Sequence, residues 1–204
     1  LPKPFFKYIE VPPNIRTGVK HATSCSIAYD RGVIYNAWRN AQIVRETVRA
    51  KKHGLTTMIL IQREVHGKNL LKLLEEQRIK AAFINGKDPQ DVRKAALKAL
   101  SSGRIECLIG STILDVGVDV PSVGLIILGG AGKAEVANRQ RIGRGLRAKK
   151  YGPNVCFVVD FADSVNKYLI KHSVERKRII LDTPGFCENI VSDFDYSIFT
   201  KPKE

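Results

Sequence analysis

Ile105-Glu106-Cys107-Leu108-Ile109-Gly110-Ser111-Thr112-Ile113-Leu114-Asp115-Val116-Gly117-Val118-Asp119-Val120-Pro121 is the stretch from which the fold can be read. Its opening run, Ile105 to Ile109, is short and nearly continuous in apolar character. That is the signature of a strand buried on both faces, as strands of parallel sheets are. Behind it come Ser111, Thr112, Asp115, Gly117 and Asp119: two hydroxyls, two carboxylates and a glycine within nine residues. Open α/β sheets place their ligands at the C-terminal ends of strands. Ser, Thr, Asp and Gly are also the common turn formers, so by itself the segment supports a turn as well as a site.

Working outward, runs of the same kind alternate with helix-period stretches, the pattern of a parallel sheet covered by helices. Met58 to Ile61, Ala81 to Ile84, Val123 to Leu128 and Val155 to Val159 read as further strands. The first helix spans about 36–52, capped by Asn36, with Trp38, Ile43, Val44 and Val48 as its apolar face and Gly54 as its stop. A second spans about 67–77, with Leu70, Leu71, Leu73 and Leu74 inward. Asp88-Pro89 opens a third, Asp as cap and Pro in the first turn, with Val92, Ala96, Ala99 and Leu100 as its stripe and Gly103 as its end. Glu135 to Arg147 and Val165 to Arg178 read as two more. Residues 1–30 hold four of the nine prolines and read as a lead-in from a preceding domain. Residues 31–180 form the domain proper, and 181–204 a tail.

With 204 residues, 44% apolar and 26% charged, the chain is long enough to fold on a hydrophobic core without disulfides or metal. No apolar run reaches membrane-spanning length, and Leu1-Pro2-Lys3-Pro4 opens no signal core. Cys25, Cys107, Cys156 and Cys187 stand far apart, which suits a reduced, intracellular protein. The four histidines lack metal-ligand spacing, so no metal site is expected. The net charge of +14 favours a polyanionic partner, nucleic acid first.

The sharpest chemistry lies in Gln140-Arg141-Ile142-Gly143-Arg144-Gly145-Leu146-Arg147. From Arg139 to Lys150 there are six cations in twelve residues and no acid. A solvated basic face explains most such runs. Two internal glycines, however, cost a helix about 2 kcal/mol relative to alanine. Glycine also permits close approach to a ligand, and the guanidinium fork matches phosphate oxygens.

Q-R-x-G-R-x-x-R following S-T-x-x-D-x-G-x-D-x-P resembles motifs VI and V of superfamily 2 helicases and translocases. Thr57 to Arg63 resembles the strand of motif IV, and Ile84-Asn85-Gly86-Lys87 with Gln90 and Arg93 the strand and helix after it. Residues 33–44 resemble the stretch preceding motif IV in UvsW-like, XPB-like and type I restriction translocase chains. Gln140, where DEAD-box RNA helicases carry His, and Asp115-Val116-Gly117, where they carry Ala-Arg-Gly, steer toward the DNA-directed groups. The resemblance covers about residues 30–178.

It implies an α/β, RecA-like domain with a mainly parallel sheet flanked by helices on both faces, the C-terminal half of an ATP-dependent DNA helicase motor in a bacterial or phage-infected cytoplasm. By the same resemblance, ATP with Mg²⁺ is bound mainly by a first RecA-like domain of the same polypeptide. Arg144 and Arg147 would supply arginine fingers, with Gln140, Arg141, Gly117 and Asp119 toward the nucleotide. Gln62, Arg63, Gly86, Lys87, Ser111 and Thr112 would contact DNA, with RNA less favoured. The chain's own phosphate loop is a near miss: Gly129-Gly130-Ala131-Gly132-Lys133 has Ala134 in place of the Mg²⁺-binding hydroxyl and Ile127 in place of the first glycine. No acidic Mg²⁺ box appears, so this chain alone is expected not to hydrolyse ATP. The alternatives are a stand-alone nucleic-acid-binding or adaptor module, and a nucleotide-binding metabolic enzyme using the Gly129 loop.

Overall fold

The computed structural model describes residues 3–15, 17–111, 123–132 and 153–199. Six strands form one sheet: β1 (Lys3–Glu10), β2 (Thr57–Leu60), β3 (Ala81–Ile84), β4 (Cys107–Gly110), β5 (Leu125–Leu128) and β6 (Val155–Ala162). Their spatial order is β1-β6-β5-β2-β4-β3, and every pairing is parallel. All C-terminal strand ends therefore lie on one edge. The helices are α1 (Cys25–Tyr29), α2 (Ala37–Lys52), α3 (Glu64–Glu76), α4 (Gln90–Ser101) and α5 (Lys167–Leu181).

The apolar runs are continuous because both faces of the sheet are covered. Met58, Leu60, Leu108, Ile126, Leu128 and Val158 point to the face packed by Leu97 and Leu100 of α4 and Ile180 of α5. Ile59, Cys107, Ile109, Leu125, Ile127 and Val159 point to the opposite face, packed by Ile43 and Ala50 of α2 and Leu70 and Leu74 of α3. The expected α/β class, parallel sheet and two-sided helical cover are all present.

Asn36 caps α2 as expected, its side chain accepting the Arg39 N–H at 3.1 Å. Gly54 and Gly103 follow α2 and α4 at φ +72° and +75°, where a side chain would be strained. α3 begins at Glu64, three residues before the expected start, and Gly67 sits inside it. A Cβ there would come within 2.5 Å of the Phe83 ring, so the glycine lets α3 lie close on β3.

Several local expectations need correction. Asp88 does not cap α4: Pro89 occupies that position, and the Asp88 carboxylate accepts the Asn85 N–H at 2.7 Å instead. Val92 is 45% exposed, and Leu97 joins Leu100 in the buried stripe. Leu71 and Leu73 are only half-buried, as is Trp38 on the expected apolar face of α2. The buried face of α2 is largely polar, with Arg39, Asn40, Glu46 and Thr47 beside Ile43 and Ala50.

Both flanks of the sequence join the sheet. Residues 3–10, within the expected lead-in, form the edge strand β1 against β6. Prolines disguised it in the sequence, but Pro4 is tolerated on an edge strand, which has one unpaired side. Of the expected tail, Ile190 bridges Phe6, and Phe194 stacks on Phe157 at 4.3 Å. Buried Glu46 accepts from Lys7 (2.8 Å), Arg49 (3.0 Å) and the Tyr196 hydroxyl (3.0 Å), tying β1, α2 and the tail together.

Candidate nucleic-acid and nucleotide interface

The loops that follow β2, β4 and β3 carry the residues assigned to nucleic acid. Leu60 and Ile84 both pair with Gly110, so the three strands end in one row. Just beyond it stand Gln62 and Arg63 after β2, Ser111 after β4, and Gly86 and Lys87 after β3. The sheet order β2-β4-β3 thus brings five of the six together along one edge. Thr112 lies outside the described residues. Gln62, Arg63, Gly86 and Lys87 are exposed and Ser111 half-exposed.

Local structure holds these loops in shape. Arg63 is the extended residue that opens α3 (φ −117°, ψ 136°), and its guanidinium lies 5.8 Å over the Tyr29 ring. Asn85 accepts the Lys87 N–H at 3.1 Å, an Asx-type turn that presents Gly86 and Lys87. The Glu64 carboxyl is held below its ordinary value, chiefly by the hydrogen bond from Lys68, with smaller contributions from Lys87 and Asn85 across the neighbouring loop. The rim therefore presents Arg63 and Lys87, with Lys68 engaged by Glu64.

Beneath the rim runs a buried polar layer to which the sequence assigned no roles. Arg39, without solvent exposure, donates to Asp163 at 2.8 Å and lies 4.6 Å over the Phe161 ring. Asn40 donates through Nδ2 to the Ile34 carbonyl at 2.9 Å, which makes its Oδ1 an acceptor. His66 Nε2, 2.8 Å from that oxygen, must then carry the ring proton. Burial first, and the Arg39 charge second, push the His66 pKa down to about 4, so the ring is neutral at pH 7. Arg176, equally buried, donates to Asp160, Phe161 and Ala131. The sequence signal for Arg39 was its place beside Ile43 on the inner side of α2, where a hydrophobe is the ordinary occupant.

The residues assigned to the nucleotide (Gly117, Asp119, Gln140, Arg141, Arg144 and Arg147) lie outside the described residues, as does the helix expected over 135–147. The Gly129 loop is described as far as Gly132. Residues 129–132 are all buried, so this part of the loop is closed to a phosphate, and the Ala131 carbonyl accepts from Arg176. The end of the Gln62 side chain lies over Gly132, where a Cβ would displace it. Lys133 and Ala134, the rest of that loop, lie outside the described residues. Among the described residues, no group of three or more His, Cys, Asp or Glu side chains is placed to hold a metal ion. Nor is any described helix long and apolar enough to cross a membrane.

A parallel sheet in this order, covered by helices on both faces, is that of a RecA-like α/β domain. The family model for the helicase conserved C-terminal domain matches residues 39–149, more than half of the chain, and the chain belongs to that family, the C-terminal RecA-like domains of superfamily 2 helicases. Among curated relatives, a putative helicase of Sulfolobus islandicus filamentous virus is 25% identical over 69% of this chain and 24% of its own length. The UvrABC system protein B of Mycoplasma pneumoniae is 29% identical over 67% of this chain and 21% of its own length. The chain thus spans about a quarter of these relatives. The crystal structure of T4 UvsW superposes with a TM-score of 0.67 over 93% of this chain and 40% of that one, at 22% identity. The C-terminal domain of the DEAD-box protein Dbp5 gives 0.53 over 74% of this chain and 83% of that one, at 16% identity.

Proposed function

We propose that this domain is the second half of an ATP-dependent DNA translocase or helicase of the cytoplasm, in which it grips the nucleic-acid backbone and completes an ATP site on a first RecA-like domain of the same polypeptide. The observation that carries the reading is the alignment of Gln62-Arg63, Ser111 and Gly86-Lys87 on the ends of three adjacent strands. An amide, a hydroxyl, exposed backbone and two cations suit phosphate oxygens, which position a strand without reading its bases. The parallel sheet fixes the spacing of these contacts, so the domain moves along the backbone as one body.

Bound ATP with Mg²⁺ would supply the phosphoryl group whose hydrolysis drives that movement. Arg144 and Arg147 would approach the phosphoryl oxygens from the opposite side of the interdomain cleft and neutralise charge as it develops there. Such fingers contribute about 10³ to 10⁵ in rate where measured. Gln140 and Arg141 would hold the interdomain contact, with Gly117 and Asp119 toward the ribose. Gln140 and Asp115-Val116-Gly117 favour DNA over RNA.

Fluorescence anisotropy with single-stranded DNA, measured on this chain at several salt concentrations, tests the grip. Each phosphate contact contributes about 0.7 to the slope of log K against log salt. Arg63→Ala with Lys87→Ala should flatten the slope by about 1.4, so that affinity falls about sevenfold less between 50 and 200 mM salt. An unchanged slope refutes the interface. Retained binding with no nucleotide turnover in the full-length protein would favour the stand-alone binding module.

A further inference from the structure

Tyr35 is the most exposed large apolar side chain among the described residues, at 61%, and nothing in the proposed grip employs it. Its N–H donates to the Asp30 carbonyl at 2.9 Å, but its ring and hydroxyl have no partner among the described residues. Scattered apolar exposure is ordinary. Here it is grouped. Ile27 on α1 and Val65 on α3 are exposed as well, and those two elements meet where the Arg63 guanidinium lies over the Tyr29 ring.

The fold brings Tyr35 to the row of strand-end loops. α1 continues into a π-helical turn, Asp30–Ile34, which ends at Tyr35 just before α2. Such turns are uncommon and recur at functional sites. Because α2 leads into β2, its first turn stands at the edge where the strands end. Ile43, in its second turn, already lies against Gly129 past the end of β5. The Ile34 carbonyl accepts from Asn40, and Asn40 meets His66 of α3, which ties the backbone before Tyr35 to the helix that Arg63 opens. Arg31 on the π-helical turn and Arg63 are both exposed, and neither is paired with a carboxylate among the described residues.

We propose that Tyr35 stacks an unpaired base of the strand whose phosphates Arg63 and Lys87 hold, so that the domain takes its nucleic acid single-stranded at this end of the row. The inference rests on the grip reading above. Every base has a π face, so an aromatic platform binds without regard to sequence while neighbouring cations follow the backbone. A duplex keeps those faces stacked on one another and offers none to the ring. A protein partner would also cover an exposed tyrosine, but the free cations on either side and the continuity with the loop row favour nucleic acid.

Fluorescence anisotropy on the 204-residue chain tests this with three probes: oligo(dT), an abasic oligonucleotide of the same length, and a blunt duplex. Stacking one base contributes about five- to 150-fold in affinity. Tyr35→Ala should therefore weaken oligo(dT) binding about fivefold or more and leave the abasic and duplex probes unchanged. The slope of log K against log salt should also stay as it is, because no charge is removed. Tyr35→Phe keeps the ring and should bind oligo(dT) like the wild type. Unchanged oligo(dT) affinity in Tyr35→Ala overturns the inference and leaves the grip intact, provided that Arg63→Ala with Lys87→Ala still flattens the salt slope. Equal losses on oligo(dT) and on the abasic probe also overturn it, since the ring would then act on something other than a base. If the Arg63 and Lys87 variant leaves the slope unchanged, the grip reading falls and takes this inference with it.

Discussion

Asp163→Asn should be a severely destabilising conservative change. The Arg39 side chain has no solvent exposure and that of Asp163 only 4%, and they meet at 2.8 Å through Arg39 Nη1 and Asp163 Oδ1. Arg39 Nε and Nη2 and Asp163 Oδ2 have no other hydrogen-bond partner, so nothing nearby replaces the lost charge. Removing one partner of a buried pair costs about 3–5 kcal/mol, because the other charge stays buried. The Phe161 ring, 4.6 Å from the guanidinium, stays in place in both forms, so it leaves the difference at the lower end of that range. The net loss should lie near 3 kcal/mol, which in a chain of this length lowers the thermal midpoint by about 6–12 °C. Urea unfolding followed by circular dichroism measures it, with an unchanged m-value as evidence that the denatured state is unaffected. Replacing both partners by hydrophobes, Arg39→Met with Asp163→Leu, should recover most of the loss, since neither charge is then stranded. A loss below about 1 kcal/mol for Asp163→Asn, or a double variant less stable than the single one, would refute the reasoning.

The buried His66 makes stability pH-dependent. Its pKa falls from 6.5 in the unfolded chain to about 4 in the fold, so between those values the unfolded state binds more protons and stability drops as pH falls. The drop amounts to roughly 3 kcal/mol in all, and His66→Gln should remove it from a titration of urea midpoints. Tyr196→Phe deletes the hydroxyl that donates to buried Glu46 and should cost about 1 kcal/mol in the same assay. Alkylation by iodoacetamide should reach exposed Cys25 and Cys187 in the native protein but spare Cys107 and Cys156 until unfolding; burial also pushes the Cys107 thiol far up. In the full-length motor, Arg144→Lys should lower kcat nearly as far as Arg144→Ala, because Lys keeps the charge but loses the planar fork. A Lys variant with near wild-type turnover would count against the finger.

The sequence by itself determined five of the six strands and most of their covering helices. Thr57–Leu60, Cys107–Gly110 and Leu125–Leu128 are buried along their whole length, and a strand covered on both faces leaves a continuous apolar run that can be read without knowing its partners. The cap at Asn36 and the stops at Gly54 and Gly103 are equally local, because each depends on one residue's hydrogen bond or φ. The position of the loops assigned to nucleic acid was legible for the same reason: they follow directly on strand ends. Only the tertiary structure decided the strand order that lines those loops up, the entry of Lys3–Glu10 into the sheet, and the docking of Phe194 and Tyr196. It also decided which polar residues go inside. Hydrophobic periodicity assigns a charged residue to solvent, because burial of a charge is tolerated only when a partner meets it there. The partner of Arg39 is 124 residues away in sequence, that of Glu46 on the tail is 150, and the Ala131 carbonyl held by Arg176 is 45. Such pairs leave no period in the sequence, since their geometry exists only after the sheet has brought the elements together.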